Sequence, residues 1–140
     1  MSAFDFKAAV KTIKDKIESY ITGSGFKYVS FKDLEDEEGN VPAGLADRGF
    51  TIFIDGTEKD EDMNDSVHFN MNTEITFYLS AINDYYLENL GYAVEAVKLL
   101  WDIDSSANIQ AKNIIPTFSN EPVGDNVKIT FNEINFLIKL

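Results

Sequence analysis

Residues 67–80, VHFNMNTEITFYLS, form the most regular pattern in the chain, with apolar side chains concentrated at every second position. A period of two is typical of a β-strand that buries one face, because successive side chains point to opposite faces of a sheet. The pattern continues well beyond the usual strand length of about five or six residues. It therefore predicts one unusually long strand.

The residues before this strand predict its partner. Residues 49–55, GFTIFID, place Phe50, Ile52 and Ile54 on one face of a second strand. The acidic run 55–65, DGTEKDEDMND, joins the two strands and indicates a solvated hairpin tip. The paired strands are expected to project past the domain body as a long β-hairpin. A projecting arm exposes apolar side chains unless a neighbour covers it, which favours an oligomer.

An amphipathic helix is predicted before the hairpin, between Phe4 and Ile21. Its apolar residues recur at steps of three and four, the spacing of one helix face, and Ser2 or Asp5 can cap its N-terminus. The predicted apolar stripe comprises Phe6, Val10, Ile13, Ile17 and Tyr20 or Ile21.

A second amphipathic helix is predicted after the hairpin, with Asn83 and Asp84 at its N-cap. Gly91 lies in the middle of this helix, where glycine costs about 1 kcal/mol relative to alanine. Its presence predicts a close approach of helix and sheet at that point. The apolar stripe expected to pack in the core comprises Leu87, Leu90, Val94, Val97 and Trp101.

Three further segments are predicted as strands, namely residues 26–31, 108–115 and 127–140. The turn-rich sequence TFSNEPVGDN separates the last two. The apolar positions of the last strand change parity, which predicts a β-bulge near Asn132 and Glu133. The predicted fold is a single α+β domain, residues 1–140, in the order α-β-β-β-α-β-β. It has a mainly antiparallel sheet with two amphipathic helices packed on it.

Two acidic segments, residues 32–48 and 55–66, lack regularly spaced apolar residues. Such segments cannot offset their own ordering entropy, about 1–2 kcal/mol per residue, by apolar burial. Both are therefore expected to be mobile in an isolated protomer and to become ordered on assembly.

The charge balance limits the partners that the chain can bind. It has 12 Lys and Arg against 24 Asp and Glu in 140 residues, and its formal net charge is −12 at pH 7. This charge repels phosphate, and the single arginine, Arg48, offers few bidentate contacts. We expect no specific nucleic-acid binding and no membrane binding. No signal peptide or membrane-spanning run is apparent, so we expect a cytoplasmic protein.

Side chains that carry catalysis are few. The chain has no cysteine and one histidine, His68, which excludes thiol enzymes and Ser-His triads. A lone histidine among asparagines does not make a zinc site, and residues 55–65 lack the EF-hand spacing. No glycine-rich phosphate loop is present. The sequence predicts a protein that is not an enzyme and that has no metal or cofactor.

Complementary charges indicate how an oligomer could assemble. Lysines form a basic ridge along the first helix, whereas the predicted hairpin tip is acidic. Head-to-tail assembly joins two different surfaces of one protomer, so these two are expected to meet between neighbours. Exposed ion pairs contribute only about 0.2–1 kcal/mol each, so apolar residues of the arm are expected to supply most of the affinity. The alternative is that the ridge is a solvated helix face. The candidate interface residues are Lys7, Lys11, Lys14, Glu58, Asp60, Glu61, Asp62, Phe69 and Met71.

The order of elements also supports a family resemblance. It includes the N-terminal helix, the acidic hairpin, the helix NDYYLENLGYAVEAVKLLW (83–101) and the closing segment ITFNEINFLIKL (129–140). This arrangement resembles the tail terminator proteins of long-tailed bacteriophages, of the minor tail protein U type. The resemblance covers most of the chain and lies in architecture, without a diagnostic motif.

The resemblance implies a structural virion protein assembled in the cytoplasm of a bacterial host. In that family a small α/β protomer forms a hexameric ring at the head-proximal end of the tail tube. The ring stops tube polymerisation and offers a joining surface for the head. The implied partners are copies of the same chain, the tail tube protein and the head-tail connector protein.

Two other functions fit the same sequence, and an enzyme acting through two carboxylates ranks after them, because an acidic chain offers many carboxylate pairs but no pattern selects one. A different ring-forming neck or tail component, such as a head-tail joining protein, would share the acidic balance and the hairpin. A small acidic inhibitor or immunity-type protein would use its negative surface to occupy a basic cleft on an enzyme. A monomer at high concentration would favour the inhibitor.

Overall fold

The computed structural model describes residues 4–20, 25–29, 48–60, 65–103 and 108–140. Within these residues the chain forms two α-helices and six strands, with a short 3₁₀ helix on each side of the second α-helix. The elements are α1 (Phe6–Glu18), β1 (Lys27–Tyr28), β2 (Gly49–Lys59), β3 (His68–Ser80), a 3₁₀ helix (Ile82–Asp84), α2 (Tyr85–Lys98), a 3₁₀ helix (Leu99–Asp102), β4 (Ile109–Ile114), β5 (Phe118–Val123) and β6 (Asn126–Lys139).

The α+β class and the predicted order of elements are confirmed, with one additional strand, β5, in the segment predicted to be turn-rich. β5 lies at the sheet edge and only Val123 is buried, so its residues show no alternation. A two-residue turn at Gly124 and Asp125 joins β5 to β6. Gly124 has a φ of +59°, the left-handed conformation that tight hairpin turns require.

The sheet is antiparallel except for the pair formed by β1 and β2. Its strand order is β1-β2-β3-β6-β4, and β5 also pairs with β6. β4 pairs with residues 134–138 of β6, and β5 pairs with residues 126–131. These two strands therefore lie one after the other along the same side of β6. The β2 side and the β4 side are the two opposite flanks of the sheet.

The central strand, β3, has 13 residues and pairs with β2 in the predicted hairpin. On its other side, β6 pairs with it from His68 to Ser80. The hairpin therefore does not project past the sheet in the described residues, because β6 is as long as the arm. The predicted bulge at Asn132 and Glu133 is confirmed, since these residues lie opposite Glu74 where the register shifts.

The helices and the sheet share one apolar core. At its centre the ring of Phe77 contacts those of Phe26, Phe50 and Phe131, at centroid distances of 4.9, 5.6 and 5.8 Å. Met71 is fully buried in the same core. The prediction that Met71 offers apolar surface to a neighbour is therefore wrong, because the face of β3 that carries it packs inside the protomer.

α1 begins where the sequence predicts. The carboxylate of Asp5 accepts a hydrogen bond of 3.0 Å from the backbone N–H of Ala8, which caps the helix. Phe6 belongs to the predicted stripe but is 39% exposed. Its ring and that of Phe4 lie 6.3 and 6.0 Å from the ring of Phe69, which is half-buried under the start of the helix.

The buried face of α2 overlaps only in part with the predicted one, since Val97 is buried as expected and Leu90 and Val94 border the core. Leu87 and Trp101 are 58% and 53% exposed, and Gly91 has no neighbour within 4 Å of an added Cβ. The close approach predicted at Gly91 is therefore wrong. The small side chains of Ala93 and Ala96 face the core, and the larger apolar residues lie along the flank of the helix. The buried residues of α2 are Asn89, Ala93, Ala96 and Val97.

Candidate functional site

A groove of about 680 Å³ lies between α1 and β2. Val10 of α1 and Ile52 and Ile54 of β2 give it an apolar lining. Among the described residues, β1 pairs with Gly49 and Phe50 of β2, so the groove lies toward the β2 side of the sheet. We call this surface the α1–β2 groove.

The rim of the α1–β2 groove carries all three lysines of the predicted basic ridge, Lys7, Lys11 and Lys14. Steps of four and three residues place them on one flank of α1. Lys14 lies over the ring of Tyr28, with its Nζ 5.6 Å from the ring centroid. The Tyr28 hydroxyl adds no negative charge to the rim, since tyrosine is neutral at neutral pH and burial raises the pKa of this one further.

Two rim lysines already have carboxylate neighbours on the same helix. Lys11 pairs with Asp15, and Lys14 lies 3.7 Å from Glu18. Exposed pairs one helical turn apart contribute only about 0.3–0.5 kcal/mol. The lysines can therefore exchange these carboxylates for those of a partner at little cost.

The predicted acidic half of the interface does not form one exposed surface. Glu58 is exposed on β2. Asp60 is only 1% exposed, and its Oδ2 lies 3.3 Å from the Nζ of Lys112. The prediction that Asp60 faces solvent is wrong, because the chain turns inward after β2 and pairs this carboxylate with a lysine of β4. Glu61 and Asp62 lie outside the described residues.

The chain enters β3 through a turn held by Asp65. Its Oδ1 accepts hydrogen bonds from the backbone N–H groups of Val67 and His68, both at 2.9 Å, and its Oδ2 contacts Nδ1 of His68. These bonds lower the pKa of Asp65, and the bond from Val67 is the largest cause. His68 therefore has a structural partner in the turn.

The two segments predicted to be mobile, residues 32–48 and 55–66, are described only in part. Of the first, the structure describes Arg48. Of the second, Asp55–Lys59 belong to β2, and residues 61–64 lie outside the described residues.

Replacing Asp65 with alanine should remove stability that depends on pH. A carboxyl group whose pKa is lowered by folding stabilises the native state above its unfolded pKa and loses this effect as the pH falls through its folded pKa. The variant should therefore be less stable than the unmodified protein at pH 6, and the difference should shrink as the pH falls below 3.8. Urea unfolding across this range measures it. Asp65→Asn, which keeps an acceptor, should lose less; an equal deficit at all pH values would contradict the assignment.

A second exposed apolar surface lies on α2. Leu87, Leu90 and Val94 fall within one flank of the helix at 100° per residue, and Trp101 follows in the adjoining 3₁₀ helix. The indole Nε1 of Trp101 donates a hydrogen bond of 3.2 Å to the carbonyl oxygen of Ile114 in β4. This places the flank on the β4 side of the sheet, opposite the α1–β2 groove. We call it the α2 flank.

Periodicity alone predicts that the apolar residues of both surfaces belong to the core. Leu90, Val94 and Val10 are partly buried and border the core, so periodicity alone cannot separate them from fully buried positions. One signal was available for α2. Ala93 and Ala96 are three residues apart and therefore share one face of the helix, and small side chains favour the face that packs most closely.

A polar pocket of about 660 Å³ lies beside Arg48, at the start of α2. Nε and Nη2 of Arg48 donate to Oδ1 of the buried Asn89 at 3.1 and 2.8 Å. Arg48, Asn83 and Asp84 all have positive φ values, between 55 and 61°. Ser80 also lines the pocket, without a histidine in its lining to activate it. The geometry supports a structural link between β2 and α2.

Among the residues that the structure describes, no group of three or more acidic or histidine side chains is placed to hold a metal ion. No helix in the same part of the chain is long and apolar enough to cross a membrane. In comparisons with known proteins, the chain matches no family model and no curated protein.

Proposed function

We propose that the protein is a structural subunit of a bacteriophage tail that assembles into a ring, a hexamer as in the tail terminator family. The ring would cap the head-proximal end of the tail tube, stop its polymerisation and present a joining surface to the head-tail connector. The protein would act without catalysis, metal or cofactor, in the virion.

The observation that carries this proposal is the pair of apolar surfaces on opposite flanks of one small domain. The α1–β2 groove opens on the β2 side, and the α2 flank lies on the β4 side. Phe6 at the groove and Leu87 and Trp101 on the α2 flank are exposed, and exposed apolar residues grouped in this way are typical of interaction sites. Two different surfaces on opposite sides suit head-to-tail assembly, which closes into a ring when the rotation allows. The α+β order shared with the resembled family supports the same function.

The small acidic inhibitor remains the alternative from a different class. Its support is the net charge of −12, since a nucleic-acid mimic presents a negative surface. The lysine rim of the α1–β2 groove does not favour it, because that surface would repel a basic cleft.

Electron microscopy and a tube assay together test the proposed function. Purified protein should form closed rings visible by negative staining. Added to polymerising tail tube protein of its own phage, it should bind one tube end and stop elongation there. Monomers with no effect on tube length, even at high protein concentration, would contradict the proposal.

A further inference from the structure

We infer that the α2 flank of one protomer occupies the α1–β2 groove of the next copy of the same chain. This contact rests on the proposed function, since it supplies the interface of the ring. It replaces the contact predicted from the sequence, in which the lysine ridge met the hairpin tip.

Both surfaces are apolar at their centres. The groove has an apolar lining from Val10, Ile52 and Ile54. The α2 flank presents exposed Leu87 and Trp101. A helix that lays an apolar flank into an apolar groove is a common mode of recognition, and tryptophan is frequent among the residues that dominate such interfaces.

The two surfaces also carry opposite charges. The groove rim is basic, with Lys7 and Lys14 at its two ends. Glu88 and Glu95 of α2 lie about 100° and 80° from Leu87 around the helix axis, on its solvent side. Both are exposed, and so is Asp102 in the adjoining 3₁₀ helix. A chain with net charge −12 has few basic surfaces, so an acidic helix of a neighbouring copy is a suitable occupant of this one.

The charged residues have the same spacing along the two helices. Lys7 and Lys14 are seven residues apart, and so are Glu88 and Glu95. Seven residues span about 10.5 Å of an α-helix. The two lysines can therefore meet the two glutamates together when the helices lie side by side. Glu95 pairs with Lys98 at 3.3 Å in the protomer, but both side chains are about half exposed, so this pair exchanges readily.

Cross-linking can test the contact cleanly because the chain has no cysteine. We would prepare Lys11→Cys and Leu87→Cys as separate proteins, mix them, allow assembly and add a short bis-maleimide. A contact between two different surfaces predicts covalent dimers in the mixture. Each variant alone should yield at least about tenfold less, because only the mixture brings the two thiols to a high effective concentration.

Ser119→Cys provides the matched control. Ser119 is exposed on β5, pairs in register with Thr130 and belongs to neither of the two surfaces. Mixed with Lys11→Cys it should give no dimer above the single-variant level. In a second arm, Lys7→Glu with Lys14→Glu should reduce the amount of ring at low salt, and adding Glu88→Lys with Glu95→Lys should restore part of it.

The outcomes separate this contact from the proposed function. Dimers specific to the Lys11 and Leu87 mixture, with rescue by the charge exchange, support the contact. Rings in which Lys11→Cys links to itself, links to Ser119→Cys or links to nothing overturn the contact and leave the ring intact. A protein that stays monomeric at high concentration overturns both.

Discussion

Phe77→Ala should lower the free energy of unfolding by about 3–5 kcal/mol, the usual cost of emptying an aromatic site in a core. Phe77 is fully buried on the central strand, and its ring contacts three other rings, those of Phe26, Phe50 and Phe131. Phe50 lies on β2, Phe131 lies on β6, and Phe26 immediately precedes β1. The cavity would therefore loosen the contact between β2, β3 and β6 together. Chemical denaturation at neutral pH measures the loss.

Phe118→Ala is the matched control for this variant. Phe118 also contacts Phe131, at 5.6 Å, but it is 38% exposed on the edge strand. It should cost about 1 kcal/mol, as solvent already reaches much of the ring. Equal losses for the two variants would contradict the assignment of Phe77 to the centre of the core.

Lys112→Met should lower the free energy of unfolding by about 3 kcal/mol, because it leaves the buried carboxylate of Asp60 without this cation. Methionine keeps most of the side-chain volume, so the loss reports the charge. Thermal and urea unfolding both measure it.

Lys98→Met tests whether burial is the cause. The Lys98–Glu95 pair has the same 3.3 Å separation, but both side chains are about half exposed. Its loss should change stability by less than about 0.5 kcal/mol. Similar losses for the two variants would show that the inward turn after β2 is not held by Asp60.

The sequence predicts the parts of this fold that follow from regular periodicity. The alternation in residues 67–80 predicts β3, and the change of parity near Asn132 and Glu133 predicts the bulge that keeps β6 in register. The cap at Asp5 is also predictable, because a short polar side chain before an apolar stripe satisfies free backbone N–H groups.

The rest depends on packing that no local pattern encodes. β5 carries exposed polar residues because it lies at the edge, so its sequence is typical of a turn. α2 has apolar residues over a wide arc, and only the sheet determines which part is buried. Asp60 occurs in a run of acids that individually favour solvent, yet one of them is paired inside.

The candidate site was predictable in part. The spacing of Lys7, Lys11 and Lys14 predicts the basic ridge, and the structure places all three on one groove rim. Its proposed counterpart on α2 was hidden, because Leu87 and Trp101 follow the same periodicity as core residues. An exposed apolar residue on a helix cannot be separated from a buried one until the helix is placed on its sheet.

Native mass spectrometry of the unmodified protein, at low ionic strength and over a range of concentrations, tests whether the chain assembles with itself through two different surfaces into a closed ring. We expect a dominant species of one fixed mass that does not grow further as the concentration rises. This mass should correspond to more than two copies of the 15.8 kDa chain, and to six copies if the ring is a hexamer as in the resembled family. A mass of 15.8 kDa at every concentration, or an open series without a limiting size, would contradict it.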